Sequence, residues 1–271
     1  MQRNFGKYDV PLTLQTLIDL EKELGEREHF FDGLHFYLAL TDFRYFNTPS
    51  DVIVFGNTGA DGIHYGFLTD YGSVSDLEEA PIVCVCPMDF EQPTRIIAKN
   101  LREFLRINCT DELLFYNDFA NEDSYLAFKR EQEVNNALHP LSELQSSNQV
   151  RIKKILEKNI HMPIIDNPYR YIQMIRMQRQ EMVNIKTQDG LGVIAPPLAH
   201  ETHIPFEIHQ DIELDLAALK AYFSTASIPS QYAIFRDIQL HYVLSDEPLL
   251  RKIVLESMLN IGLIDEANRL S

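Results

Sequence analysis

His200-Glu201-Thr202-His203, followed by Glu207, His209 and Asp211, is the densest set of potential metal ligands in the chain. Imidazole together with carboxylate suits zinc, manganese or iron. A zincin needs a Glu directly after its first His and a second His four residues on, all within one helix. Here the second His comes three residues on and Pro205 interrupts. The expected account is therefore a polar loop carrying histidines, with no metal and no cofactor. A metal-dependent hydrolase using residues 200–211 stands as the alternative, and metal content separates the two. Gly56-Asn57-Thr58-Gly59-Ala60-Asp61-Gly62 has the glycines of a phosphate cradle, but it lacks the Lys-Ser/Thr ending of a P-loop and leads into an extended run rather than a helix N-terminus. It reads as a tight turn that displays Asp61 beside Asp70. Cys84 and Cys86 sit two apart in an extended run, so both face the same way, and with no Cys-x-x-Cys spacing they read as packing residues. No Gly-x-Ser-x-Gly elbow and no Cys-His signature is present, and no catalytic residue is assigned.

The chain has 271 residues, 45% hydrophobic and 24% charged, enough to build a core in one large domain or two. Its 40 Asp+Glu against 24 Lys+Arg give a formal charge of -16, the wrong sign for displacing counterions from nucleic-acid phosphate. A basic protein partner fits better. Between Tyr45 and Thr94 there is no Lys or Arg, whereas Asp51, Asp61, Asp70, Asp76, Glu78, Glu79, Asp89 and Glu91 all lie there. Residues 151–186 reverse the sign with Arg151, Lys153, Lys154, Lys158, Arg170, Arg176, Arg179 and Lys186. The plain alternative to a docking face is that these two stretches solvate the fold and attract each other. No apolar run approaches the roughly 20 residues that span a bilayer, so no membrane partner is expected. Three cysteines cannot make a disulfide framework, and the polar start lacks a secretory pattern, so the expected compartment is cytoplasmic.

These side chains need elements to hold them. Leu14, Leu17, Ile18, Leu20 and Leu24 recur at the 3.6-residue period and Gly25 supplies a stop, which predicts a helix over 12–24. The β-branched run 52–55, the Asp-Gly turn and the extended run 63–68 predict a hairpin, and prolines at 81 and 87 bracket a further strand. Residues 94–107 return to helical period through Ile97, Leu101, Phe104 and Leu105. Residues 113–138 and 150–158 read as polar helices, broken by Pro140 and by Ser146-Ser147-Asn148, the expected first linker. Val183, Ile185 and Thr187, then Asp189-Gly190, then Leu191, Val193 and Ala195 predict a second hairpin, closed by Pro196-Pro197. From residue 212 the pattern is helical over 214–223, 230–244 and 248–261, with Ser245 and Asp246 placed to cap the last.

The order Phe46-Asn47-Thr48-Pro49, the run 52–56, Thr58-Gly59-Ala60-Asp61-Gly62, Tyr65-Gly66-Phe67-Leu68, the bracketed run 81–87 and Ala98-Lys99-Asn100-Leu101-Arg102-Glu103-Phe104-Leu105 resembles the SUKH superfamily, over roughly residues 11–107. That family includes bacterial toxin-immunity proteins and a yeast regulator of cell-wall glucan synthesis. The resemblance implies an N-terminal helix, a strongly bent sheet with Gly-rich turns, and a non-enzymatic binding role, in bacterial members often against a secreted toxin.

The resulting expectation is an α+β fold: a SUKH-like domain over 1–140 with a bent, mainly antiparallel sheet, a linker helix and hairpin over 141–211, and a small helical domain over 212–271. Its function is expected to be binding a basic protein partner, a toxin or a regulatory protein, through Asp61, Tyr65, Asp70, Tyr71, Asp76, Glu78 and Glu79. Charge would steer the encounter, and aromatic anchors such as Phe46, Tyr65 or Tyr71 would hold it. A regulatory scaffold whose helical extension binds a peptide or subunit is a third reading.

Overall fold

The computed structural model describes residues 1–41, 43–89, 91–196, 203–208 and 213–271. A short α1 (Gln2–Phe5) precedes α2 (Leu12–Leu24), whose buried stripe is Leu14, Leu17, Ile18, Leu20 and Leu24. Gly25 ends α2 at φ +80°, a conformation open to glycine without a Cβ penalty. α3 (Arg27–Leu34) follows, then the strands β1 (Tyr37–Leu38), β2 (Val52–Asn57), β3 (His64–Leu68), β4 (Ile82–Val85) and β5 (Thr94–Ala98). They form one five-stranded sheet in sequence order, antiparallel at each step. Among the described residues all five strands lie in the first hundred and the later elements are helices, which makes the fold α+β.

Alternation along the strands sends side chains to two buried faces. Ile53, Phe55, Tyr65, Phe67, Ile82, Cys84 and Ile97 join the core built by α2, α3 and α4 (Leu101–Asp111). Val52, Val54, Leu68, Val83, Val85 and Ile96 face the other way. Cys84 and Cys86 do share a face, as free thiols with sulfurs 3.6 Å apart.

The helix expected over 94–107 begins only at Leu101. Thr94, Ile96 and Ile97 are β-branched; Thr94, Arg95, Ile96 and Ala98 pair with β4, Ile97 falls at a register shift, and the Asn100 side chain accepts from Glu103 N to start α4. The spacing of Ile97, Leu101 and Phe104 fits a helical stripe because strand and helix both aim them at one core.

Beyond a 3-10 turn (Glu112–Phe115) come α5 (Glu122–Leu138), α6 (Glu143–Asn159) and α7 (Pro168–Met182). The linker expected at Ser146-Ser147-Asn148 lies inside α6, because Ser142 and Gln145 form a capping box upstream of it. Asn148 is buried and donates to Asp32 at 2.9 Å, while Ile152 and Leu156 pack in the α2–α3 core. That core therefore runs past the boundary drawn at residue 140. The helix α7 was not anticipated; it starts on an Asn167 cap with Pro168 in its first turn and sets Ile175 against the second sheet face. The second hairpin shrinks to a single bridge between Ile185 and Val193.

The C-terminal helices are α8 (Leu216–Thr225), α9 (Ile228–His241), α10 (Pro248–Asn260) and α11 (Ile264–Leu270), around a core of Leu219, Phe223, Ile234, Phe235, Ile238, Val254 and Met258. Neither Ser245 nor Asp246 caps α10; Glu247 holds the N-cap position without a side-chain bond. Among the described residues no helix is long and apolar enough to cross a membrane.

Candidate functional site

The acidic span divides into a buried half and an exposed half. Just after β3, Asp70, Tyr71 and Gly72 take φ of 47°, 53° and 88° in succession. This left-handed bend, costly for two non-glycine residues, turns the Asp70 carboxylate and the Tyr71 ring inward. Arg179 of α7 grips Asp70 with two nitrogens at 2.7 and 2.6 Å and donates to the carbonyls of Leu191 and Gly192. Arg236 of α9, with no exposed side-chain surface, lies 2.6 Å from Asp51 and 3.5 Å from both Asp70 and Asp189. Its guanidinium also covers the Tyr71 ring, which stacks on Tyr232 at 4.3 Å between centroids. Gln239, one helical turn on, accepts from Ser50 N and donates to the Thr48 carbonyl, and Arg269 of α11 donates to the carbonyls of Ser50 and Asn4.

Three carboxylates against two guanidiniums leave one excess negative charge in this seam. Burial raises the Asp51 pKa to about 6 against the pull of Arg236, and Asp51 Oδ1 has no hydrogen-bond partner, so Asp51 holds a proton more readily than an ordinary aspartate. Burial lowers the pKa of Arg236, but the carboxylates around it, Asp51 first, raise it more, and it stays charged. The expected docking residues Asp70 and Tyr71 are thus parts of an internal seam. Tyr65 is equally inaccessible, packed among Phe36, Phe55, Phe104 and Phe115. These three cannot present to a partner while the chain is folded, because each is closed off by its own neighbours.

The other four remain at the surface. Asp61 is exposed at φ 51° in the β2–β3 turn, as expected, but Asp70 is buried, so the two are not displayed together. Asp76 is exposed and accepts from Glu78 N, starting a 3-10 turn (Leu77–Glu79). Glu78 bonds Thr13 and lies 3.9 Å from Arg102, and Glu79 pairs with Arg102 while staying largely exposed. Phe46, also exposed, keeps its availability as an anchor. The attraction between the acidic and basic stretches is real at Asp70–Arg179, while Arg151, Arg170 and Arg176 pair with Glu23, Glu122 and Asp118 outside the acidic span.

The sequence left unmarked a cleft of about 510 Å3 between β5 and α7, lined by Thr94, Arg95, Gln173, Arg176, Met177 and Gln180 among others. Arg95 is buried in a strand, with Nη2 on Asp89 and 2.8 Å from Asp118. Nothing in the linear pattern flags it, since a single Arg in an extended run normally faces water.

In the histidine cluster, His200, Glu201, Thr202, His209 and Asp211 lie outside the described residues. His203 Nδ1 is 2.8 Å from Ser230 Oγ, and among the described residues no three His, Cys, Asp or Glu side chains gather to hold a metal. No family model matches the chain, and no curated protein matches it.

Proposed function

We propose that the chain is a non-enzymatic protein-binding module, of the immunity type that the SUKH resemblance implies, acting in the cytoplasm on a basic protein partner. The observation that carries this is where the charge lies. Among the described residues the six buried acids Asp51, Asp70, Asp111, Asp189, Asp237 and Glu266 stand against four buried arginines, Arg95, Arg179, Arg236 and Arg269, so most of the acidic excess of the described residues falls outside the core. Exposed charge of one sign steers an oppositely charged partner and raises its association rate. Asp61, Asp76 and Glu79 form the accessible part of the docking surface, with Glu78 at its rim and Phe46 as an aromatic anchor.

The experiment uses a partner isolated by co-purification. Association slows markedly from about 0.05 to 0.5 M salt, as the Debye length shrinks from roughly 14 to about 4 Å, while dissociation changes far less. The variant Asp61→Asn/Asp76→Asn/Glu79→Lys keeps the left-handed turn and the 3-10 cap, because Asn serves at both positions, and it slows association at low salt. Salt-independent association with an unaffected variant would reject the acidic surface as the interface.

A further inference from the structure

The β5–α7 cleft holds donors that the protein itself does not use. Four buried polar atoms on its lining residues have no hydrogen-bond partner: Thr94 Oγ1, Arg95 Nε and Nη1, and Arg176 Nη2. Thr94 and Arg95 are only 1% and 4% exposed. Leaving a buried N–H unpaired is costly, and more so for a charged group, so such a concentration at one cleft calls for an acceptor. The groups already on the two arginines occupy their other nitrogens: Asp89 and Asp118 at Arg95 Nη2, Asp118 at Arg176 Nη1 (3.3 Å), and the Ile96 carbonyl at Arg176 Nε (3.4 Å). The charges are also layered. The Arg95 side chain is 3% exposed, whereas those of Asp89 and Asp118 are 31% and 52% exposed. Water screens the carboxylates more than the guanidinium, which leaves the inner wall positive.

An apolar groove of about 440 Å3 continues the cleft along α7, lined by Tyr169, Met174 and Met177 and sharing Gln173, Met177 and Glu181 with it. Met174 and Met177 are exposed, and unbranched thioethers adapt to whatever lies on them. The two volumes together match an ordinary small-ligand site, apolar with a few convergent polar groups.

We propose that this cleft binds a small organic carboxylate with an apolar body. The carboxylate accepts from Arg95, Arg176 and the Thr94 hydroxyl, and the body lies over Met174 and Met177. The four donor atoms are covered, so entry requires a rim side chain to turn aside, and Met177 is the mobile candidate. A dianion such as phosphate is disfavoured by Asp89 and Asp118, already paired with the arginines, and by Glu181 on the lining. This inference is independent of the protein-binding surface.

Titration calorimetry on the full chain tests it with four probes: 3-phenylpropionate, acetate, 3-phenyl-1-propanol and inorganic phosphate. The expected result is that 3-phenylpropionate binds at least about tenfold more tightly than each of the others, since losing either the charge or the apolar body forfeits about 1.4 kcal/mol or more. Arg176→Gln weakens it about tenfold and Thr94→Val about threefold, whereas Arg151→Gln, at an exposed arginine of α6 that pairs with Glu23 and lines neither cavity, leaves it unchanged. Circular dichroism confirms that each variant is folded, and Thr94→Val, which keeps the β-branched shape, retains the test if Arg176→Gln unfolds. No heat from 3-phenylpropionate up to about 10 mM, equal binding of phosphate, or unchanged affinity in a folded Arg176→Gln or Thr94→Val variant would overturn the assignment.

Discussion

The two faces of the sheet are buried by different means. Toward α2, α3 and α4 the contacts are hydrocarbon and aromatic, with Phe36, Phe55, Tyr65 and Phe104 meeting edge to face or tilted at 5.0–6.5 Å. Toward α7 and α9 a thinner aliphatic layer borders the seam of Asp51, Asp70, Asp189, Arg179 and Arg236. An apolar face tolerates imperfect partners, whereas a charged one fixes which carboxylate meets which guanidinium and fails when one is missing. The first face builds the sheet's core, and the second keys the C-terminal helices to it.

Arg236→Ala carries the largest expected effect. It strands buried carboxylates and costs about 3–5 kcal/mol, read as a lower denaturation midpoint, and replacing Asp51 by Asn in the same chain recovers part of the loss. Phe104→Ala, the matching truncation on the aromatic face, costs about 3–4 kcal/mol, and no second substitution of a neighbouring charge restores it. If Arg236→Ala were as mild as a surface change, the contrast between the two faces would collapse.

Protonation sharpens the contrast further. Burial raises Asp237 of α9 from its ordinary 3.8 to about 7, and raises Asp51 to about 6. The folded chain then holds protons that the unfolded chain releases, so this contribution is complete below about pH 4 and is lost as pH rises through about 6 to 7. Relative to wild type, Asp237→Asn should gain a few degrees in Tm between pH 5 and pH 8, a difference that thermal scans across that range measure. Equal pH slopes in the two proteins would mean that Asp237 ionises normally. The smallest effect belongs to the exposed turn, where Glu79→Lys should change stability by no more than about 0.5 kcal/mol.

The sequence made the aromatic face readable because its determinants are local. The leucine stripe of α2, the β-branched run of β2 and the Asp-Gly turn each announce themselves within a dozen residues. β5 was misread because Ile97, Leu101 and Phe104 point at one core from two kinds of element. α7 escaped notice because its buried face mixes Ile172 and Ile175 with Arg179, whose apolar neighbours are outnumbered by polar ones. The seam was illegible for a different reason. Asp51 and Arg236 are 185 residues apart, and no local pattern distinguishes a carboxylate that will find a buried guanidinium from one that will face water. The same blindness assigned Asp70, Tyr71 and Tyr65 to a docking face while correctly leaving Asp61, Asp76 and Glu79 in the open. It also hid Arg95, whose significance lies in nitrogens left unpaired.

The most direct test of the account is peptide-resolved hydrogen exchange through a guanidinium titration, comparing wild type with Arg236→Met. If the charged seam makes the sheet and the C-terminal helices one cooperative body, amides of β2–β4 and of α9–α10 in wild type lose protection at the same denaturant concentration. In Arg236→Met, α8–α11 then open first while β2–β4 stay protected beneath α2 and α4. Separate openings in wild type, or a single shared opening in Arg236→Met, would contradict it.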